Sequence, residues 1–286
     1  MLLVIVVLTR KGKRMANELT APTYATLDEI FERFHYPAGE SHIRLQLDID
    51  ISELEVIEAT ARNFADIAQI VTADRILKRN DVSVRWFLPY FPFARHDRRN
   101  DAGDGFELQL AIEMVAELDV VIADPHSEVA GQLLHIDQAD AVATFRDAGI
   151  FDDDPIVVIP DAGAAKKAYD WIDGATVVQA SKRRDPRTGQ LSGFAIPEQD
   201  LGGRPCIIVD DICDGGGTFL GLAAVLQKAN AGPLTLAVTH GLFTKGLDAL
   251  GEAFDTIVSF HPTGTTGPAG TKTIPFIDLY AKGNIT

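Results

Sequence analysis

Cysteine is scarce in this sequence, whose 286 residues include only Cys206 and Cys213. Two cysteines this close together, one of them inside a strand-like run, form neither a disulfide framework nor a zinc site. A chain without disulfides suits a reducing compartment, so we expect a cytoplasmic protein.

Long apolar runs are also missing, and no stretch approaches the roughly 18 apolar residues that a membrane helix needs. Residues 1–8 are almost all apolar, but the stretch is short, has no basic segment before it and runs into the basic residues 10–14. It predicts a buried first strand rather than a signal peptide, and we expect no membrane partner.

Basic charge is in deficit, with 26 Lys and Arg against 41 Asp and Glu and a formal net charge of −15. Such a balance argues against nonspecific binding of nucleic acids and of anionic membrane surfaces. Hydrophobic residues make up 46% of the chain and charged residues 23%, which is typical of a packed globular protein.

Short apolar runs alternate with helical patterns along the chain, which predicts an α/β fold with a mainly parallel sheet. Strands are predicted at 2–8, 84–88, 120–123, 156–159, 176–180, 206–209, 234–239, 256–260 and 273–279. Helices are predicted at 57–78, 107–118, 164–172, 219–230 and 247–253. Gly, Pro and Asp residues interrupt the pattern at 148–155, so we expect two domains, 1–148 and 149–286.

The most informative segment follows the apolar run 206–209. It carries three acids and then a glycine-rich turn that opens a helical pattern: Asp210, Asp211, Asp214, Gly215, Gly216, Gly217 and Thr218. A loop between a strand and a helix is where α/β proteins bind phosphates, and glycines let the backbone approach the ligand. The segment is not a Walker loop, because no Gly-x-x-x-x-Gly-Lys-Ser/Thr occurs in it. It is not a dinucleotide fingerprint either, because Leu220 stands where a third glycine would be required. The alternative is an ordinary polar turn.

This segment resembles the 5-phosphoribosyl-1-pyrophosphate (PRPP) motif shared by type I phosphoribosyltransferases and ribose-phosphate pyrophosphokinases. The resemblance implies that Asp210 and Asp211 hold ribose hydroxyls, while the residues from Asp214 to Thr218 cradle the 5-phosphate. Gly215 departs from the motif, which usually has a hydroxyl residue there, so one side-chain contact with the phosphate is lost.

A cationic, aromatic segment after the strand 84–88 contains Arg95, His96 and Asp97. Guanidinium groups suit phosphate oxygens, and Arg or His can stack on a purine; a loop with solvated charges is the alternative. The segment is similar to the ATP-binding segment of ribose-phosphate pyrophosphokinases, which ordinary phosphoribosyltransferases lack. The resemblance assigns these three residues to ATP, with His96 where a glutamine is common.

Two further strand ends carry residues that suit a metal or a phosphate. The Asp-Pro-His sequence that ends in His126 is similar to the family's Asp-x-His, whose histidine lies by the ATP phosphates and magnesium. The Pro-Asp-Ala-Gly sequence with Asp161 is similar to the family's Pro-Asp-x-Gly, whose aspartate works at the ribose or at Mg²⁺. A structural histidine and a helix N-cap are the alternatives.

The Ser-Lys-Arg-Arg sequence at 181–184 opens the longest polar connection, 185–203, a length typical of a functional or a disordered loop. A solvated charge run is the alternative. In the resembled family this place holds a lysine and an arginine on a mobile catalytic flap, which by register are Lys182 and Arg184, with Arg183 as the alternative. Two cations brought in by a flap suit phosphoryl transfer.

Residues 36–40 resemble a family segment that crosses a subunit interface to the adenine of a neighbour's ATP. Tyr36 and Glu40 keep that pattern, whereas Ala38 replaces an Asp or Asn, so one polar contact with the base is missing. We therefore expect a homo-oligomer built from dimers, with a preference among nucleotides that the change at Ala38 leaves open.

The resemblance covers about residues 36–279 and rests on five separated motifs in family order. It predicts two phosphoribosyltransferase-like domains and an enzyme that makes PRPP and AMP from ribose 5-phosphate and ATP, with Mg²⁺ as cofactor. A type I phosphoribosyltransferase would leave Arg95 and His126 unexplained. A catalytically silent regulatory relative is the third possibility, which Ala38 and Gly215 keep open.

Overall fold

A computed structural model describes residues 23–99, 101–127, 129–132, 134–136, 138–160, 175–184, 191–197, 199–261, 271–276 and 278. The helices are α1 (Leu27–Ile30), α2 (Phe64–Arg79), α3 (Glu107–Val115), α4 (Gln138–Asp147), α5 (Gly217–Lys228) and α6 (Asp248–Ala253). The strands are β1 (Tyr24–Thr26), β2 (Phe31–His35), β3 (Ser41–Leu45), β4 (Val56–Glu58), β5 (Arg85–Leu88), β6 (Asp119–Ala123), β7 (Leu134–Ile136), β8 (Ile156–Ile159), β9 (Val177–Gln179), β10 (Ser181–Arg184), β11 (Leu191–Ala195), β12 (Cys206–Cys213), β13 (Leu234–Gly241), β14 (Thr256–His261) and β15 (Lys272–Pro275).

Two parallel sheets dominate the described part of the chain. The first has the order β1-β4-β5-β6-β7, and the second has the order β15-β14-β13-β12-β8-β9. Every neighbouring pair in both sheets is parallel. The predicted fold class, mainly parallel sheets flanked by helices, is therefore confirmed. The predicted boundary at 148 falls between α4 and β8 and stays a prediction.

Each sheet uses its two faces for two different apolar cores, because successive strand residues point to opposite sides. In β5, Trp86 belongs to the cluster that also contains residues of α2 and α3, whereas Phe87 belongs to a second cluster. In β12, Ile208 packs with α5 and α6, whereas Ile207 belongs to the same second cluster as Phe87. Phe276 also joins it, with its ring centroid 6.4 Å from that of Phe87. This shared cluster holds the two sheets together.

The prediction of a single helix over residues 57–78 is wrong at its start. Val56 to Glu58 form the buried strand β4, and the helix begins at Phe64, after the N-cap residue Asn63. The side chain of Asn63 accepts a hydrogen bond from the backbone N–H of Asp66, at 3.0 Å, which satisfies one of the free donors of the first turn. The apolar period alone could not separate a short buried strand from the helix that follows it.

Strand β11 lies inside the long polar connection, 185–203, and forms a hairpin with β10, which precedes it. Strand β11 pairs antiparallel with β10, with Lys182 opposite Phe194 and a register shift between Arg183 and Arg184. Phe194 is 8% exposed and packs against α5, where a Cβ added to Gly221 would lie 2.5 Å from its ring. The return strand of the predicted flap is thus anchored on the helix that follows the glycine-rich loop.

A second antiparallel hairpin, β2–β3, carries the segment 36–40 at its tip. The backbone N–H of Tyr36 donates to the carbonyl oxygen of Glu40, at 2.8 Å, and Gly39 takes a positive φ of 93° in the turn. The ring of Tyr36 is half-exposed and makes an edge contact with Phe34, with 5.3 Å between the ring centroids. The hairpin thus presents an aromatic tip to solvent.

Some predicted elements differ from the structure or lie outside it. The strand predicted at 273–279 begins at Lys272 and ends at Pro275. The strand predicted at 2–8, the helix predicted at 164–172 and the site residue Asp161 lie outside the described residues. None of the helices in the described part of the chain combines the length and the apolar character that a membrane crossing requires.

Candidate active site at the carboxyl ends of the two sheets

The carboxyl ends of β6 and β13 meet where the two sheets pack together. Thr239 Oγ1 donates to Asp124 Oδ2 at 2.5 Å, and both side chains are buried. His240 Nε2 lies 3.1 Å from the carbonyl oxygen of Ala123 and 3.3 Å from that of Asp124. Because carbonyl oxygens only accept, His240 carries its proton on Nε2 in these contacts. Ligands of parallel α/β sheets bind at this edge, beyond the carboxyl ends of the strands.

Asp124 itself has a strained backbone, since its φ of 41° lies in the left-handed region that a residue with a side chain seldom adopts. The hydrogen bonds from Thr239 and His240 hold its side chain and its carbonyl group from the other sheet. The turn at Asp124 leads directly into Pro125 and His126, so the strain sets the direction in which His126 leaves the strand.

His126 reaches the second sheet. Its Nδ1 lies 2.8 Å from Oδ2 of Asp211, and because a carboxylate only accepts, Nδ1 is the donor. The side chain of Asp211 is 9% exposed, whereas that of His126 is 42% exposed. The imidazole is therefore fixed at one end by a buried acid and open to solvent at the other, which leaves it accessible to a ligand.

Arg95 makes the second bridge between the halves. Its Nη1 donates to Asp214 Oδ2 at 2.7 Å, and this hydrogen bond raises the pKa of the Arg95 guanidinium. The hydroxyl of Thr244, at 2.7 Å, and then Arg95 lower the pKa of Asp214 below its usual value. Burial raises the pKa of Tyr90, which is hydrogen-bonded to Arg95 as well. Asp214 therefore stays ionised at neutral pH and keeps Arg95 beside the glycine-rich loop.

The two leading acids of the loop lie inside a strand, because β12 continues to Cys213 rather than ending at Val209 as predicted. Asp210 pairs in register with Val238 of β13, and its Oδ1 accepts the backbone N–H of Asp211 at 3.0 Å. Strand pairing thus fixes both carboxylates against a rigid sheet rather than leaving them on a free loop.

The glycine-rich turn joins β12 to α5. Gly216 is the N-cap residue with a φ of 75°, and Gly217 begins the helix. The first turn of a helix leaves backbone N–H groups without intrahelical partners, and these favour an anion. Burial raises the pKa of Cys213, at the end of β12, to about 12, with Asp210 and Asp214 adding to the effect, so this thiol stays protonated beside the turn.

The other predicted site residues make contacts of their own or lie outside the described residues. His96 Nδ1 is 3.4 Å from Glu107 Oε2 at the start of α3, and Asp97 pairs with Arg98 at 2.9 Å. Tyr36 and Glu40 lie at the tip of the β2–β3 hairpin. Lys182 and Arg184 are placed by their backbone in β10, whereas their side chains lie outside the described residues, as does Asp161.

Several residues of the site were not predicted to act there: Tyr90, Asp124, Thr239 and His240. All four stand at or just after the ends of strands β5, β6 and β13. That position was the available signal in the sequence, because ligands of parallel sheets bind at the carboxyl ends of the strands. Their contacts run between the two sheets, so only the packing of the sheets reveals them.

Comparisons with known proteins agree with this geometry. No family profile matches the chain. A curated ribose-phosphate pyrophosphokinase from Mycoplasma genitalium is 29% identical over 238 residues, which cover 77% of this chain and 70% of that protein. Another, from Methanopyrus kandleri, is 28% identical over 273 residues, or 89% of this chain and 91% of that protein.

Among solved structures, phosphoribosylpyrophosphate synthetase from Mycobacterium smegmatis matches with a TM-score of 0.70 at 20% identity. The match covers 88% of this chain and 87% of that one. The resemblance expected from the motifs is confirmed, together with the fold, and the proteins that this chain is similar to are enzymes.

Proposed function

Because the chain is a homologue of the ribose-phosphate pyrophosphokinases, we propose that it is such an enzyme itself. It transfers the pyrophosphoryl group of Mg-ATP to the anomeric hydroxyl of ribose 5-phosphate and releases PRPP and AMP. In this reaction the anomeric oxygen forms a bond to the β-phosphorus and loses its proton. The bond from that phosphorus to the oxygen shared with the α-phosphate breaks, and AMP leaves.

The observation that carries this proposal is the contact between the two predicted half-sites. His126 and Arg95 belong to segments predicted to bind ATP, whereas Asp211 and Asp214 belong to the loop predicted to bind the ribose phosphate. They touch at 2.8 Å and 2.7 Å. A phosphoribosyltransferase needs only the second half-site. An enzyme that joins a nucleotide to ribose 5-phosphate needs both, side by side.

In this proposal the acceptor lies along the end of β12 and the start of α5. Asp210 and Asp211 accept hydrogen bonds from the ribose hydroxyls, and the backbone N–H groups of Gly215, Gly216, Gly217 and Thr218 surround the 5-phosphate. The sheet holds the two acids in place before the sugar arrives, which reduces the entropic cost of orienting the anomeric hydroxyl.

The nucleotide lies on the other side of the same edge. A guanidinium has five donors, so the pair with Asp214 leaves Arg95 with others for phosphate oxygens. His96, Asp97 and the hairpin residues Tyr36 and Glu40 are the further candidates for ATP. Asp214 holds Arg95 in place, which positions a cation between the donor phosphates and the acceptor loop.

Catalysis in this proposal depends on charge rather than on a strong general base. Lys182 and Arg184 on the β10–β11 hairpin stabilise the charge of the transferring and leaving phosphates. Such transfers are accelerated almost entirely by positioning and electrostatic stabilisation. With Nδ1 donating to Asp211, the neutral form of His126 keeps a lone pair on its other ring nitrogen, Nε2, which suits the proposed contact with Mg²⁺.

Magnesium is the cofactor that the proposed reaction implies. Among the described residues no group of three His, Cys, Asp or Glu side chains is arranged to hold a metal ion. Magnesium usually takes one or two carboxylates together with substrate phosphates, and a site of that kind fits the isolated acids at this edge. His126 and Asp161 are the proposed protein contacts. When bound, the ion would neutralise phosphate charge.

We further propose a homo-oligomer in the cytoplasm, with two domains divided near residue 148. The tip of the β2–β3 hairpin is the proposed contact, because the side chain of Tyr36 is 48% exposed there and is available to a neighbouring subunit. The net charge of −15 argues against nucleic acids as ligands.

One assay tests the proposed activity. The protein is incubated with MgATP and ribose 5-phosphate, and AMP and PRPP are measured. Formation of both supports the proposal. Pyrophosphate release from PRPP that depends on an added base, without AMP formation, identifies a phosphoribosyltransferase instead. Inactivity in both assays identifies a regulatory relative. Equal concentrations of ATP, GTP and CTP then measure the donor preference.

A further inference from the structure

The glycine-rich turn lies in a strongly acidic setting for a phosphate. Asp210, Asp211 and Asp214 all lie within the five residues that precede Gly215. A sugar phosphate carries nearly two negative charges at neutral pH, so these carboxylates oppose its binding. Arg95, the cation that reaches Asp214, is engaged in an ion pair with it. The backbone donors of the turn therefore need a further positive charge beside them.

Lys245 lies against this turn. A Cβ built on Gly215 would lie 3.2 Å from both Cδ and Cε of Lys245 and 3.5 Å from its Cγ. The aliphatic stem thus runs along the backbone of Gly215, in the space that a side chain at this position would fill. The ammonium group is one bond beyond Cε, so the charge is carried to the turn itself.

The backbone that carries Lys245 is fixed to the end of β12. The N–H groups of Leu242 and Phe243 donate to the carbonyl oxygen of Cys213, at 2.9 and 3.1 Å, and that of Thr244 donates to the carbonyl oxygen of Asp214 at 3.1 Å. The hydroxyl of Thr244 donates to the carboxylate of Asp214 at 2.7 Å. These hydrogen bonds position the backbone just before Lys245 relative to the turn.

The ammonium group is available to a ligand. Lys245 is exposed, and within the described chain it forms no ion pair at 4.0 Å or less with an acid. Its charge is felt at Asp214, where it is the smallest of the effects that lower the pKa, after the hydroxyl of Thr244 and Arg95. A lysine placed beside backbone donors at a helix start is a common arrangement for binding phosphate.

We propose that Lys245 binds the 5-phosphate of the acceptor sugar, an inference that rests on the proposed function. The ammonium group supplies the contact that is lost because position 215 has no side chain. Gly215 and Lys245 then act as a pair, since a side chain at position 215 would occupy the space of the lysine stem. The expected ligand class is a sugar 5-phosphate, and ribose without phosphate gains nothing from Lys245.

The first test compares Lys245→Ala with Lys228→Ala by calorimetric titration. Lys228 is an exposed lysine in the last turn of α5, at the opposite end of the helix from the phosphate turn. The loss of one charge-assisted contact predicts that Lys245→Ala binds ribose 5-phosphate about 10- to 100-fold more weakly. Binding of ATP is expected to change less than about twofold, and Lys228→Ala to match the wild type. An affinity of Lys245→Ala for ribose 5-phosphate within twofold of the wild type overturns the assignment.

The second test uses the pairing with Gly215. We expect Gly215→Thr to weaken binding of ribose 5-phosphate, because the new Cβ displaces the lysine stem. In the Lys245→Ala background the same substitution is expected to cost nothing further, or to restore part of the affinity through its hydroxyl. Equal losses in both backgrounds would show that the two positions act independently.

These titrations separate the inference from the proposed activity. If the wild type binds ribose 5-phosphate through Lys245 but forms no AMP with MgATP, the proposed activity fails and the phosphate site stands. If AMP forms and Lys245→Ala leaves both the affinity and the KM for ribose 5-phosphate unchanged, the activity stands and the inference fails. A wild type that binds no ribose 5-phosphate overturns the inference.

Discussion

Two side-chain contacts hold the centre of the candidate site, and each joins a residue of the first half to a residue of the second. His126 pairs with Asp211, which lies within β12, and Arg95 pairs with Asp214, which directly follows that strand. Both pairs are partly open to solvent, so their contribution to the free energy of unfolding is small. They matter for position instead, because they fix the imidazole of His126 and the guanidinium of Arg95 beside the end of β12 and the glycine-rich turn.

Mutation of the cations on the β10–β11 hairpin tests their proposed role in catalysis. We expect Lys182→Ala to lower kcat by about 10²-fold or more, because it removes a donor that acts mainly in the transition state. The KM for ribose 5-phosphate is expected to change little. Steady-state AMP formation measures both constants. Arg183→Ala is the matched control and is expected to keep kcat within threefold of the wild type.

Turnover of Lys182→Ala within threefold of the wild type would contradict the assignment. A large loss in Arg183→Ala together with a mild effect in Arg184→Ala would instead move the second catalytic cation to position 183.

Cys213 provides a chemical test of burial at the end of β12. Burial raises its pKa to about 12, so the thiol stays neutral at ordinary pH values. The thiolate forms only as the pH approaches 12. At pH 8 about one thiol in 10⁴ is ionised, and the thiolate is the reactive form. We expect iodoacetamide to leave Cys213 unlabelled in the folded protein and to label it in urea, as mass spectrometry would measure. Rapid labelling without denaturant would show that β12 opens.

Among the secondary-structure elements, helix α5 connects the glycine-rich turn to the predicted flap. It begins at the last glycine of that turn, Gly217, and Gly221 in its middle lies under the ring of Phe194 from β11. A side chain at position 221 would overlap that ring. Because Gly221 has none, the β10–β11 hairpin can pack closely against the helix.

Substitution at Gly221 tests that contact. A Cβ at this position would lie 2.5 and 2.6 Å from two ring carbons of Phe194, closer than packed atoms allow. We expect Gly221→Ala to lower the free energy of unfolding by about 1–3 kcal/mol through overpacking. The control is Gly251→Ala in α6, where nothing lies within 4 Å, and it is expected to be neutral or slightly stabilising. Urea denaturation measures both variants, and equal effects would contradict the contact.

At the scale of the whole molecule, one apolar cluster is shared by both parallel sheets. The candidate site lies where the strands of these sheets end. Residues of β5 and β6 and residues of β12, β13 and β14 contribute to the cluster. The site therefore depends on the packing of two halves that each have a core of their own. In the proposed oligomer the exposed hairpin β2–β3 would add a third contribution, from a neighbouring subunit.

Complementation between subunits tests that contribution. We expect mixed dimers of Tyr36→Ala and Lys182→Ala chains to regain activity, because one site of each mixed dimer then has both an intact hairpin and an intact flap. With random mixing in equal amounts about a quarter of the wild-type activity is expected, measured as AMP formation at low ATP. Recovery no greater than the sum of the two parents, or a monomer in sedimentation velocity, would contradict the shared site.

Local patterns were sufficient for several features. The alternation of apolar runs and helical periods predicted parallel α/β sheets, and the order of the motifs indicated the group of proteins to which the comparisons found the chain similar. Both were predictable because strand ends and glycine turns are encoded within a few neighbouring residues. The same local reading misplaced the start of α2 and missed strand β11, which lies within 185–203 and pairs with β10. Short buried strands and helix segments have similar composition, and antiparallel pairing depends on a partner strand elsewhere.

Folding in three dimensions decided the rest. The sequence places Arg95 and Asp214 119 positions apart, and His126 and Asp211 85 apart, so their pairing follows only from the packing of the two sheets. Lys245 carried no signal in the sequence, because its proximity to Gly215 depends on hydrogen bonds that join the end of β13 to the end of β12. The chemistry of single positions is local, whereas their arrangement into one site is a property of long-range packing.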